Sequence, residues 1–409
     1  MNEKTTSNKP FTDYQKFVVF LLAITQFTVV LDFMVMSPLG DIMMKTLRIT
    51  TSQFGVAVSA YAFSAGISGI LTAGFADRFD RKKLLLFFYI GFVLGTLFCA
   101  LSPNYELLVL ARVITGVFGG VISSISMTII ADLFSLQQRG KVMGFVQMGF
   151  GVSQVLGIPI GLYIANSWGW HIPFLWIAMM AGLIAFVLFL KLKPITEHLS
   201  LQRDKSAFLH LFHTVSKRNY RIGFLATALL SVGGFMMMPF GTAFAVNNLK
   251  ITNEQLPLLF MAVGISTLIT MPLIGKLSDR VSKFKIFACA TILAILIINI
   301  YARYAVTPFI IVLITNVGMM VFIMSRIVPS SALTSAIPDP QDRGAFMSIN
   351  SSLQQMAGGF GAMIAGIIIV QKDNFAPLQH YDTLAMIASS IMLSTIVLMY
   401  RVHKIVLKK

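Results

Sequence analysis

The chain has 409 residues; 56% are hydrophobic, 12% are charged, and the net charge is +16. Soluble domains carry about a quarter charged residues, so this composition excludes a soluble globular protein. Apolar runs of roughly 19 to 25 residues recur along the whole length, each long enough to cross a bilayer.

A spanning segment must satisfy its own backbone hydrogen bonds, so these runs read as helices. The alternating segments of about 10 residues that a β-barrel needs are absent. The predicted spans are roughly 17–38, 54–76, 84–102, 106–131, 142–165, 171–192, 222–246, 256–276, 285–306, 308–330, 345–371 and 383–402. Twelve is an even number, so both termini fall on one side. The expected fold is an all-α integral membrane protein.

The leading "MNEKTTSNKPFTDYQK" is polar, and no small-residue cleavage site follows the first apolar run. The first helix is therefore read as retained, not as a signal peptide. That helix contains "FTVVLDFMVMSPLGD", with Asp32 well inside it. Thr25, Thr28 and Asp32 follow i, i+3, i+7 spacing and share one face. This polar stripe is expected to line a cavity.

The loop after helix 2 reads "GFADRFDRKKLLLF", with Asp77, Arg78, Arg81 and Lys82. A carboxylate at a helix end such as Asp77 can face the positive N-terminus of a neighbouring helix. The alternative is that these charges only set topology.

Helix 4 contains "LLVLARVITGVFGG", with Arg112 inside the apolar boundary. An Arg at this depth faces a partner or a wet cavity, or snorkels to the surface. Asp32 lies about five residues, roughly 7 Å, to the outer side of its helix centre. Arg112 lies about seven residues, roughly 10 Å, to the same side. The depths agree, and the two residues are the candidate proton-coupling pair. Burial disfavours a carboxylate's charge and a nearby guanidinium favours it, a balance that suits a proton carrier. The competing reading is a permanent structural ion pair. No histidine falls in a helix interior, which leaves Asp32 as the best proton site. Asp132, near the inner end of helix 4, reads as solvated.

Helix 5 contains "GVSQVLGIPIGLY". Gly151, Gly157 and Gly161 allow close helix packing, and Pro159 allows a bend. The segment 193–221 is basic and partly amphipathic, and reads as a solvated linker on the inner membrane face. Helix 7 carries "GGFMMMPFG", where Met236 and Met237 offer adaptable apolar surface to a substrate or to packing. The loop after helix 8, "GKLSDRVSKFKIFA", holds Asp279 and Arg280. In helix 10, Arg326 is read three ways: binding an anionic substrate, pairing in an inner gate, or snorkelling.

The chain repeats itself. Asp77 matches Asp279 at an offset of 202, and Arg139 in "QQRGKVMGF" matches Arg343 in "QDRGAFMSI" at 204. These pairs predict two pseudo-symmetric six-helix halves, 1–192 and 222–409, joined by the central loop 193–221. With the N-terminus inside, 25 Lys and Arg fall on the inner side and 5 on the outer. That split is a positive-inside signal, and it replaces a nucleic-acid reading of the charge.

Halves of this kind, and the motif "AGFADRFDRKKLL" with Asp77, Arg78, Arg81 and Lys82 in place, make the chain resemble the major facilitator superfamily. Ala73 and Asp80 stand where that family's loop signature has Gly. The resemblance implies that Asp77 latches against helix 11 and Asp279, with Arg280, against helix 5. The helix 5 motif is similar to that of drug–proton antiporters, with Ile158 separating Gly157 from Pro159 as in arabinose-efflux-type permeases. It implies proton-coupled efflux of a drug, sugar or metabolite by alternating access. The alternative is a facilitator or proton symporter importing a small solute. The family further implies a monomer in a bacterial-type inner membrane.

No nucleophile–base set, metal spacing or phosphate loop stands out, so an enzyme, a metal and a cofactor are not expected. The two cysteines, Cys99 and Cys289, fall in predicted helices 3 and 9 and do not form a disulfide framework. The expected partners are the lipid bilayer, a small-molecule substrate and protons.

Overall fold

A computed structural model describes residues 11–73, 75–196, 199, 207–339 and 341–408. The first half holds α1 (Asp13–Val35), α2 (Gly40–Leu47), α3 (Thr51–Ala73), α4 (Arg81–Leu101), α5 (Tyr105–Leu133), α6 (Leu136–Val152), α7 (Ile158–Trp168) and α8 (His171–Lys191). A short helix α9 (Ala207–Ser216) follows. The second half holds α10 (Arg218–Met237), α11 (Gly241–Asn247), α12 (Leu256–Arg280), α13 (Lys283–Tyr301), α14 (Phe309–Ser335), α15 (Arg343–Ile368) and α16 (Tyr381–Leu407).

Among the described residues, eleven segments are long and apolar enough to cross a membrane, with α6–α7 and α10–α11 each forming one. The twelfth expected span is α15. At 26 residues it is about 39 Å long, enough to cross. It is less apolar because it carries Asn350, Gln354, Gln355 and three serines, Ser348, Ser351 and Ser352.

Two spans are interrupted at proline. Pro159 lacks the N–H that a continuous α-helix would use, and the residues before it, Ser153–Gly157, form a π-helical turn. Pro239 sits in a 3-10 turn, Met238–Phe240, between α10 and α11. The first span starts at Asp13, where Thr12 and Gln15 form a capping box. The stretch expected as a central loop contains α9 and the first residues of α10.

Phe11 packs on Phe134 and His403 on Phe284, which puts both ends of the described chain at one end of the bundle, the near end. At the opposite, far end, one apolar core runs through both halves, from Met43, Phe54 and Leu162 to Phe240, Leu256 and Tyr381. Towards the near end the core divides. One part belongs to the first half alone (Val18, Leu85, Ile129, Leu188) and the other to the second half alone (Phe224, Phe287, Phe346, Val402). The halves are thus joined at the far end.

The main seam between them is α3 against α15. A Cβ on Gly55 would stand 2.9 Å from the Ala362 carbonyl oxygen and 3.2 Å from the Gly366 Cα, so the two backbones touch. Ser59 adds a hydrogen bond to the Gly359 carbonyl at 2.8 Å. A second seam sets the π-helical turn on α12, where a Cβ on Gly264 would meet the Gln154 carbonyl oxygen at 3.0 Å.

At the near end of the second half, Lys217 Nζ lies 2.5 Å from Asp342 Oδ2 and Tyr220 donates to the same carboxylate at 2.8 Å. The Asp342 carboxylate holds the Lys217 ammonium above the usual lysine range.

Candidate transport site

Asp32 occupies the last third of α1 and is fully buried. Arg112, on α5, is also buried, and its Nη1 donates to Asp32 Oδ2 at 2.9 Å. Thr96 of α4 donates to the other carboxylate oxygen at 3.1 Å. Both oxygens of Asp32 are therefore engaged. The Arg112 guanidinium carbon stands 4.6 Å over the Tyr61 ring of α3. Among the described residues its Nε has no hydrogen-bond partner. Such a pair is weak evidence for stability, because desolvating two charges offsets most of their attraction. Charges at membrane depth are rare and costly.

The stripe of Thr25, Thr28 and Asp32 does not face a cavity between the halves; it turns inward to α4 and α5. Thr28 shares a 2.8 Å hydrogen bond with the Tyr89 hydroxyl, and Thr25 donates back to the Leu21 carbonyl at 2.8 Å. The reason is polar satisfaction: α4 supplies Tyr89 and Thr96, and α5 supplies Arg112. From α1, Phe33 reaches the other half, 5.3 Å from Tyr61 and 5.9 Å from Phe235 of α10 between ring centroids.

Met236 also departs from the expectation of a cavity residue. It is fully buried in the far-end core, while Met237 is only partly buried against it. Arg326 stays within the second half and is buried, so it does not snorkel. Its Nε donates to Thr291 of α13 at 3.0 Å, and its Nη2 lies 3.5 Å from Thr395 of α16. Among the described residues it has no acidic partner.

In the loop between α3 and α4, the side chain of Asp77 lies outside the described residues. Arg78 is exposed. Arg81 is buried, with Nε 3.1 Å from Asp132 Oδ2 and Nη1 2.9 Å from the Ala76 carbonyl. Asp132 is thus paired, where the sequence suggested a solvated acid. Lys82 donates to the Phe189 carbonyl at 2.9 Å. Asp279 and Arg280 are exposed, and among the described residues Asp279 forms no hydrogen bond or ion pair.

The helix 5 residues all sit at close contacts. A Cβ on Gly151 would stand 2.3 Å from Leu268 of α12, and one on Gly157 2.6 Å from Leu31 of α1. Gly161 lies against Val35, and Pro159 is buried at the start of α7.

Sequence reasoning missed Tyr61, Tyr89 and Thr96 as parts of the site. The signal available for Thr96 was its position as a polar residue inside the apolar run "LGTLFCA". Tyr61 carried no such signal.

The family model of the Major Facilitator Superfamily matches residues 22–362 and 223–404. The chain belongs to the Major Facilitator Superfamily. Within it, the chain is 25% identical over 356 residues to the MFS-type transporter YbcL of Bacillus subtilis, covering 86% of this chain and 88% of that one. It is 21% identical to a probable sugar efflux transporter of Mannheimia succiniciproducens, covering 87% of each. Among solved structures, a D-xylose–proton symporter superposes with a TM-score of 0.75 at 18% identity, covering 93% of this chain and 97% of that one. A bacterial homologue of the human lysosomal transporter Spinster, inward-facing and unoccupied, gives 0.73 at 16%, covering 97% of each. At these identities the structures establish the fold. The superfamily makes the chain an integral membrane transporter.

Proposed function

We propose that this chain is a proton-coupled exporter of a small molecule, working by alternating access, with Asp32 as the coupling carboxylate. The observation that carries the reading is the buried Asp32–Arg112 pair at 2.9 Å. The likeness to sugar efflux transporters and the glycine–proline pattern of helix 5 favour export.

The division of 25 cationic residues against 5 supports a near end, with both termini, in the cytoplasm of a bacterial-type inner membrane. The end where the halves share a core then faces outward. Protons arriving from outside neutralise Asp32 and free Arg112, which favours substrate release. The transporter works as a monomer, with lipid, protons and substrate as its partners. Asp77 and Asp279 act as latches at the near end in the state where that end closes.

The test uses inverted membrane vesicles that hold a proton gradient, followed with a pH-sensitive dye. Cations, sugars and amino acids are added to wild type and to Asp32→Asn. The expected result is that at least one compound releases protons from wild-type vesicles and none does so from the variant. An Asp32→Asn response equal to wild type overturns the assignment. Proton flux of the opposite sense identifies a symporter.

A further inference from the structure

We propose that Tyr61 and Phe33 are positioning residues that join the Asp32–Arg112 pair to the contact between the halves. The charge state of the pair thereby sets whether the far end stays closed. The inference rests on Asp32 as the coupling carboxylate.

Four side chains form an unbroken series. The Arg112 guanidinium lies 4.6 Å over the Tyr61 ring. Tyr61 meets Phe33 at 5.3 Å, and Phe33 meets Phe235 at 5.9 Å. The series starts at the buried ion pair in the first half and ends on α10 in the second. Both ends are backed by close contacts. A Cβ on Gly116 of α5 would stand 2.4 Å from the Tyr61 carbonyl, and one on Gly119 2.9 Å from its hydroxyl. Tyr61 is therefore pressed against the helix that bears Arg112. On the other side, a Cβ on Gly358 of α15 would stand 3.1 Å from the Phe235 ring. Packing this tight passes a displacement on, because there is no void to absorb it.

The groups facing Asp32 are Arg112 from α5, Thr96 and Cys99 from α4, and Tyr61 from α3. Asp32 is the one carboxylate among them. While it is charged, its bond to Nη1 fixes the guanidinium plane over Tyr61. When it takes a proton, Arg112 is left as a buried cation without a counter-charge, and among the described residues its Nε already lacks a partner. The guanidinium then moves, Tyr61 loses the cation on its face, and the Phe33–Phe235 contact loses its support.

The test measures the distance between nitroxide labels on Thr46→Cys and Glu254→Cys by electron–electron double resonance. Both positions are exposed at the far end, one in each half. Cys289, which is exposed, is replaced by Ser; Cys99 is buried and stays. The protein is held in lipid nanodiscs and the pH is lowered stepwise. Wild type and Tyr61→Phe, which keeps the ring, are expected to lengthen on acidification. Asp32→Asn, Tyr61→Leu and Phe235→Ala are expected to lose the shift. Phe235→Ala lies in the other half and touches neither charge, so it carries the test if Tyr61→Leu does not fold. If Asp32→Asn loses the shift while Tyr61→Leu and Phe235→Ala keep it, the series is wrong and the coupling role of Asp32 stands. If wild type shows no shift, or Asp32→Asn keeps it, the coupling role falls and the series falls with it.

Discussion

Asn247 of α11 donates to the Asp41 carboxylate of α2 at 2.6 Å, so a buried hydrogen bond ties the two halves at the far end. Lys45 pairs with the other oxygen of Asp41 at 2.7 Å. Asn374 also reaches across, to the Met44 carbonyl, and Thr51 to the Ile369 carbonyl at 2.7 Å. A hydrogen bond to a charged group contributes about 1.5–3 kcal/mol. Asn247→Ala is therefore expected to shift the closed–open balance of the far end roughly tenfold or more towards open. Label distances between Thr46→Cys and Glu254→Cys measure it; an unchanged distribution shows that the contact does not hold the gate.

The α3–α15 seam gives a steric prediction. At Gly55 the obstacles to a side chain are the Ala362 carbonyl and the Gly366 backbone, which cannot rotate away. Gly55→Val is expected to separate the helices and cost about 1–3 kcal/mol by overpacking. Transport should fall sharply while the protein still inserts in the membrane. Gly144→Ala is the control, because a Cβ there meets nothing within 4 Å. Substrate flux in vesicles checks both, and normal flux in Gly55→Val would show that the seam opens wider in the cycle than this contact suggests.

Much of the fold could be read from the sequence because a bilayer leaves few options: apolar length fixes a helix. Depth could be read as well, since a rise of 1.5 Å per residue placed Asp32 and Arg112 at one level. Facing could not. The first helix is apolar nearly all round, so periodicity cannot tell the side that meets its own half from the side that meets the other. Thr25 and Thr28 turned out to face α4, and Phe33 to face α10. The hydroxyl partners of Arg326 were hidden for a related reason. Thr291 and Thr395 lie on other helices, and nothing in their local sequence marks them.

The ion pair predicts strong non-additivity. Removing one partner leaves a buried, uncompensated charge, at a cost of about 3–5 kcal/mol. Arg112→Leu alone should lower the thermal midpoint in detergent markedly. Asp32→Asn with Arg112→Leu removes both charges and should recover most of the loss. The double-mutant cycle measures the coupling. Additive losses would mean that Arg112 is stabilised by the Tyr61 ring rather than by Asp32. Transport should be lost in all three variants, which separates stability from function.

Arg326 leads to the opposite expectation. A guanidinium has five N–H donors, and Thr291 and Thr395 account for two of them here. With no acid beside it among the described residues, its burial is a cost to the fold, only partly offset by the two hydroxyls and the Phe287 ring 5.6 Å away. Arg326→Met replaces the cation with an apolar chain of similar length and is expected to leave the thermal midpoint unchanged or raise it. Thr291→Val removes the Nε acceptor and is expected to cost about 1–3 kcal/mol. A large drop in Arg326→Met would show that the residue gains a counter-charge in the membrane, and flux of anionic against neutral compounds through that variant would then tell whether the substrate supplies it.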